Sequence, residues 1–346
     1  MINLLVYCIF LCVATYVGIR LFIVLAPKLG LVDIPNERSS HKKITPRGAG
    51  LIFGFAFLIS VLILDFDNFA HIKYTLLAIS IVYLGGLIDD IYSVSSKQKF
   101  LFITIAAFIV YFNGFQITNI GTFFDFPVTI GYLSLPFTVF AIVGFTNALN
   151  LSDGLDGLAG SLALIILSAL CAVGYIHNDN TLLLWSALLM STVIAFLFLN
   201  WYPAKVFMGD TGSLLLGFCI SILSIKALDY VNPISILFLT ALPIIDTMVV
   251  FRRRMQRGLS PFSPDKNHLH HILNNIKQDK SFTVRMLLTI QLGFSCIFLQ
   301  INQKDDVLNL VVFIILFFVF FNLFDPRIRR RSENARIRKK YLKPKE

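Results

Sequence analysis

The sequence predicts an all-α fold: a polytopic transmembrane helical bundle of about eleven spans, with the N-terminus outside and the C-terminus cytoplasmic. Three observations lead there. Of 346 residues, 56% are hydrophobic and only 14% charged, where a soluble domain carries about 25% charged residues. The mean hydropathy is +0.76, so lipid must cover much of the surface. Finally, the basic residues gather on alternate loops.

A bilayer core takes about 20 apolar residues per helix. Candidate runs cover residues 2–26, 49–64, 74–87, 100–112, 132–145, 158–176, 182–199, 213–225, 233–251, 284–301 and 307–324. Several are short, which predicts broken or tilted helices. The first run lacks a basic leader and a small-x-small cleavage site and reads as a retained span. No internal repeat or low-complexity linker divides the chain. Residues 1–325 therefore read as one transmembrane domain and 326–346 as a basic cytoplasmic tail. The five cysteines lie in apolar runs without a CxxC pair and read as small hydrophobes.

Positive charge orients the spans. Of the 30 Lys and Arg residues, 26 fall in loops 27–48, 89–99, 200–212 and 252–285 and in the tail 326–346. Only Lys73, Lys226 and Lys304 fall on the other side, and Arg20 lies inside the first run. The basic side reads as cytoplasmic. The net charge of +10 has its source in the tail, which reads as a topology anchor touching anionic lipid rather than as a nucleic-acid site.

The polar motifs fall on that same side. Asp89 and Asp90 close the third run, and adjacent carboxylates at a membrane boundary need neutralising; Lys97 and Lys99 follow in the same loop. Asn147, Asn150 and Asp153 are spaced three apart and share a helix face. The glycines after Asp153 and Asp156 let the backbone turn toward a ligand. This segment holds no Lys or Arg, so a bound cation is the simplest counter-ion, and oxygen-only ligands indicate a hard ion such as Mg²⁺. Asp210 stands before the eighth run, either as a helix cap or as a further oxygen ligand beside N–H groups free for phosphate. The next inner loop carries Arg252, Arg253, Arg254 and Arg257, then His268, His270 and His271. With no cysteine in the inner loops and no HExxH pattern, these suit phosphate and sugar contact better than zinc. Asp33, His41 and Arg47 lie in a polar N-terminal loop within reach of such a site.

The acidic pair, the NxxNxxDGxDGLAG and FMGDTGS segments and the PFSPDxxHxHH loop resemble the polyprenyl-phosphate N-acetylhexosamine-1-phosphate transferases. The nearest likeness is to the bacterial undecaprenyl-phosphate GlcNAc-1-phosphate transferases. The motifs occur in family order across residues 31–271. The resemblance implies a helical enzyme of the bacterial inner membrane with a cytoplasmic site. Such an enzyme moves HexNAc-1-phosphate from a UDP-sugar to undecaprenyl phosphate with Mg²⁺ or Mn²⁺ and releases UMP. The family opens cell-envelope polysaccharide pathways such as O-antigen synthesis, and dimers occur within it.

By the same resemblance, Asn150 and Asp210 are metal ligands and Asp89 and Asp90 the acidic pair of the catalytic centre. Lys99 contacts phosphate, Asp153 and Asp156 lie near nucleotide and metal, and His268 and His270, with the preceding arginines, select the sugar. The related phospho-MurNAc-pentapeptide transferases carry three consecutive histidines. Leu269 breaks that run here, which argues against their donor. A transporter of lipid-linked sugars is the competing class. Transporters place ionisable groups near mid-bilayer, whereas Arg20 and Asp246, and Arg285 at the boundary of its run, all lie near inner ends.

Overall fold

The computed structural model describes residues 2–35, 43–256, 258, 260, 269, 273, 279–301 and 306–323. Each of the eleven apolar runs contains helix. In chain order the helices are α1 (Ile2–Leu25), α2 (Gly50–Leu64), α3 (Phe69–Tyr92), α4 (Ser96–Phe112), α5 (Ser134–Leu151), α6 (Leu158–Ile176) and α7 (Asn180–Asn200). There follow α8 (Gly209–Ala227), α9 (Pro233–Leu239), α10 (Ala241–Gln256), α11 (Lys280–Gln300) and α12 (Asp306–Leu323). Among the described residues, seven helices are long and apolar enough to cross a membrane, or eight if the bent pair α9–α10 counts as one. The chain is a multi-pass membrane protein.

The expected all-helical fold gains two small antiparallel sheets. One pairs β1 (Val32–Asp33) with β2 (Thr45–Pro46), and the other pairs β3 (Asn119–Phe123) with β4 (Phe126–Thr129). Neither pattern was legible, because two to five residues are too few to establish a period-two alternation.

The bundle is built around α8, which is buried along nearly its whole length from Thr211 to Ala227. Helix α1 instead exposes Leu5, Ile9, Phe10, Val13, Val17, Leu21 and Val24, as a helix facing lipid does. Small residues set the packing of α2 and α3 on α8. A Cβ on Gly50 would fall 2.1 Å from Gly212 N, and one on Gly86 2.6 Å from Thr211 Cα. Backbones this close admit no side chain, so α2 and α3 both converge on the first turn of α8.

The ninth run is one apolar stretch in sequence but two helices in space, meeting at 79° around Thr240. Pro243 has no N–H to give to the Leu239 carbonyl four residues back. Gln291 of α11, fully buried, takes over. Its Nε2 donates to Leu239 O at 2.8 Å and its Oε1 accepts Leu242 N–H at 3.1 Å. Where water is excluded, freed backbone groups must find such partners.

The five cysteines are free thiols; Cys219 is buried and Cys296 exposed. At the end of the bundle remote from α8's first turn, buried carboxylates act as fasteners. Asp65 accepts Trp185 Nε1–H at 2.9 Å, Asp179 accepts Tyr230 O–H at 2.8 Å, and Asp306 accepts Thr122 N–H at 2.9 Å.

Candidate active site

The acidic motifs meet where α3 ends and α8 begins. Ser95 starts α4 with a reciprocal cap. Its hydroxyl accepts Gln98 N–H, and Gln98 Oε1 accepts Ser95 N–H at 2.9 Å, the pattern that fixes a helix start. Lys99 is thereby carried in the first turn of α4, back toward the end of α3. Its Nζ lies 2.6 Å from Asp89 Oδ2 and 3.0 Å from Asp210 Oδ2. Asp89 is 2% exposed, so this ammonium neutralises a carboxylate that water does not reach.

Asn150, in the last turn of α5, gives its amide N–H groups to Asp210 Oδ1 and, at 2.7 Å, to Ser213 Oγ. Among the described residues nothing donates to its side-chain Oδ1, while its backbone carbonyl accepts Asp153 N–H at 3.1 Å. Asp90 turns the other way. It accepts Arg47 Nε–H at 3.0 Å, Asp210 N–H at 2.8 Å, Thr211 N–H at 3.0 Å and Thr211 Oγ1–H at 2.6 Å. Arg47 also lies 3.7 Å from Asp210 Oδ2. The N-terminal loop is brought here by backbone stitching to the loop before α8. Phe207 N–H donates to Pro46 O at 2.8 Å, and Gly48 and Ala49 N–H both donate to Phe207 O.

Beside this cluster lies a cavity of about 260 Å³. It is lined by Asp33, Arg47, Asn150, Asp153, Asp156 and Asp210, together with Asn200, Phe207, Gly154, Leu155 and Gly209. Four carboxylates thus face one guanidinium. Burial, and then the charges of Asp210, Asp90 and Asp156, push the Asp153 carboxyl up to about 7. Burial works against the charge of Arg47, but Asp90 and Asp210 outweigh it and hold the guanidinium above its ordinary value.

Such an excess of negative charge fits a hard cation. Among the described residues no three Asp, Glu, His or Cys side chains form a closed metal cage. Mg²⁺ does not need one, since it keeps waters and phosphate oxygens around one or two carboxylates. Asn150 and Asp210, both lining the cavity, are groups that could hold it.

The structure therefore gathers Asp89, Asp90, Lys99, Asn150 and Asp210 in one cluster and lines the adjoining cavity with Asp33, Arg47, Asp153 and Asp156. It does not bring every candidate. Asn147 is half-buried one turn back on α5 and is not among the cavity-lining residues. Arg253 and Arg254 are buried in α10 and do not line the cavity either. Helix α10 continues as far as Gln256 and so carries both arginines inside the bundle, where loop spacing alone suggested an open basic loop. His268, His270, His271 and His41 lie outside the described residues. Leu269, within the histidine run, donates its N–H to the buried Asp246 Oδ1 of α10 at 2.7 Å.

Sequence reasoning missed Asn200, Phe207, Thr211 and Ser213. Asn200 joins two acidic loops: its Oδ1 accepts Gly157 N–H at 2.8 Å, and its Nδ2 donates to Val206 O at 2.9 Å. The one available signal was a polar residue closing an otherwise apolar run.

Comparison with known proteins agrees with this geometry. Residues 72–228 match the model of glycosyl transferase family 4. A probable undecaprenyl-phosphate N-acetylglucosaminyl 1-phosphate transferase of Bacillus subtilis strain 168 is 35% identical over 86% of this chain and 84% of its own. Undecaprenyl-phosphate alpha-N-acetylglucosaminyl 1-phosphate transferases of Yersinia pestis and Escherichia coli K12 are 29% and 26% identical. Each matches 91% of this chain, over 89% and 88% of their own lengths respectively.

Proposed function

Because the chain belongs to the undecaprenyl-phosphate N-acetylglucosaminyl 1-phosphate transferases of glycosyl transferase family 4, we propose that it transfers HexNAc-1-phosphate, foremost GlcNAc-1-phosphate, from a UDP-sugar to undecaprenyl phosphate and releases UMP. The observation that carries this reading is the convergence of Asp89, Lys99, Asn150 and Asp210 from four helices beside one acidic cavity.

Two anionic substrates must meet, one from water and one from the bilayer. Asn150 and Asp210 would hold a divalent cation, Mg²⁺ or Mn²⁺, which when bound supplies positive charge against the pyrophosphate. An oxygen of the lipid phosphate attacks the sugar-linked phosphorus, and the bond to the UMP oxygen breaks with its electron pair leaving on UMP. Lys99, paired with Asp210 beside the cavity, would offset charge on that leaving group. A phosphate monoester, with a second pKa of about 6, is largely ionised near neutrality, so Asp89 need only orient the nucleophile. Arg47 and Phe207, which line the cavity, would orient the nucleotide there.

The basic-loop asymmetry supports placing this site on the cytoplasmic face of the bacterial inner membrane, with eleven spans, the N-terminus outside and the C-terminus inside. The likeness to transferases acting on undecaprenyl phosphate supports a first membrane step of an envelope polysaccharide. The test is UMP release by purified protein with undecaprenyl phosphate, magnesium and a panel of UDP-sugars. UDP-GlcNAc is expected to give UMP and a lipid-linked pyrophosphoryl sugar. Release with no UDP-HexNAc would overturn the reading, and a ³²P-labelled aspartyl intermediate would replace direct attack.

A further inference from the structure

We infer that Asp90 is a positioning residue: from the end of α3 it caps the start of α8 and so fixes Asp210 and Arg47 in the site. Its activity arm rests on the transferase reading above, but the cap itself is read without any substrate.

Helix α8 begins without a cap of its own. The residue before it, Met208, has helical backbone angles and gives no side-chain hydrogen bond. The N–H groups of a first turn have no partner within their own helix. Asp90 supplies two. Its Oδ1 accepts Asp210 N–H at 2.8 Å, and its Oδ2 accepts Thr211 N–H at 3.0 Å. Thr211 Oγ1–H at 2.6 Å and Arg47 Nε–H at 3.0 Å complete the set. A carboxylate offers about four lone-pair sites, and here four are taken. The side chain is 1% exposed. Nothing is left over to ligate a metal or to take a proton from substrate. A negative charge at this end of a helix is also favoured by the helix dipole.

The backbone is shaped around this contact. Gly209 sits at φ +75°, and a Cβ there would fall 2.5 Å from Asp90 Oδ2. Successive helix residues point about 100° apart, so Asp89 and Asp90 meet different neighbours within the one cluster. Asp89 faces Lys99, while Asp90 faces α8 and holds the backbone that carries Asp210. The two carboxylates of one motif thus have separate tasks.

The experiment compares wild type, Asp90→Asn, Thr211→Ala, Thr211→Ser and the double variant Asp90→Asn/Thr211→Ala in detergent. Thermal unfolding is followed without metal or substrate, and UMP release is measured with UDP-GlcNAc, undecaprenyl phosphate and Mg²⁺. An Asn at position 90 has the same size but sets an N–H against one of the α8 donors. Asp90→Asn is expected to lower the unfolding temperature of the metal-free protein and to lower kcat about 10- to 100-fold, as displacement of a catalytic group does, with little change in KM. Thr211→Ala should move both readouts the same way but less, and Thr211→Ser should restore them. The double variant should lose less stability than the two single losses combined, because both remove one shared contact.

An Asp90→Asn protein that unfolds no earlier than wild type yet has no turnover would overturn the inference, since that marks a group in the chemistry. Additive losses in the double variant would overturn it as well. Should Asp90→Asn not fold, the Thr211→Ala loss and its rescue by Thr211→Ser decide alone. A wild type that releases no UMP while the unfolding pattern holds would remove the substrate reading and leave the cap standing.

Discussion

Lys99 Nζ stands 2.6 Å from Asp89 Oδ2, so the first turn of one helix neutralises the last turn of the helix before it. The two residues are ten apart in sequence, and the α3–α4 turn folds them together. The same ammonium reaches Asp210, 111 residues further on. One lysine therefore joins two acidic motifs that the sequence keeps far apart.

Replacing Lys99 by Met leaves Asp89 and Asp210 without their shared cation. Activity is expected to fall by about 10²-fold or more, the scale of losing one preorganised charge-stabilising group. Lys99→Arg keeps the charge but not the compact ammonium between two oxygens and should recover only part of it. UMP release at saturating substrates measures both.

Asp210→Asn removes the carboxylate beside Asn150. The magnesium concentration for half-maximal activity should rise, and turnover at high magnesium should stay well below wild type. A variant with the wild-type magnesium dependence would remove Asp210 from the metal site.

Asp153 predicts a proton linked to cation uptake. In the metal-free protein its carboxyl is pushed up to about 7, so near pH 7 it is partly protonated. A cation favours the ionised form, and its binding releases protons. Apparent magnesium affinity should rise with pH up to about 7 and level off above. The sign for folding is opposite: a raised carboxyl ionises more readily when unfolded, so the metal-free fold loses stability as pH climbs from the ordinary carboxylate range toward 7. Calorimetric titration with Mg²⁺ in two buffers of different ionisation enthalpy reads the release, and Asp153→Asn should abolish it.

Asn200→Ala strands Gly157 N–H and Val206 C=O in a buried place. Each unsatisfied group costs about 1–3 kcal/mol, so the unfolding temperature should drop clearly. Because one loop it joins carries Asp156 and the other leads into Asp210 of α8, activity should drop with it. A variant of normal stability and activity would show that the clamp is dispensable.

Gln291→Leu removes the partners of Leu239 O and Leu242 N–H at the α9–α10 break. A similar cost per backbone group is expected, with no water to compensate. Pairing it with Pro243→Ala, which returns an N–H to the Leu239 carbonyl, should recover part of the lost stability in thermal unfolding.

Much of the fold was legible because lipid imposes a long, one-dimensional signal. Helices α6 and α7 match their apolar runs to within two residues at either end. The break at Thr240 was not legible as a break, because its cause is shared between Pro243 and a glutamine on a different helix. The small strands carried too few residues for a pattern.

By itself the sequence determined which residues must be helical, which loops are basic, and which short segments hold carboxylates without nearby cations. Those are properties of local composition, and composition is read along the chain. Only the tertiary structure decided that Lys99 belongs to Asp89 and Asp210, that Asn200 ties two loops, and that Asp90 turns away from Asp89 to cap α8. Hydrogen bonds extend about 3 Å in space and take no account of distance along the chain, so the division of work between two neighbouring carboxylates is set by what the fold places opposite each.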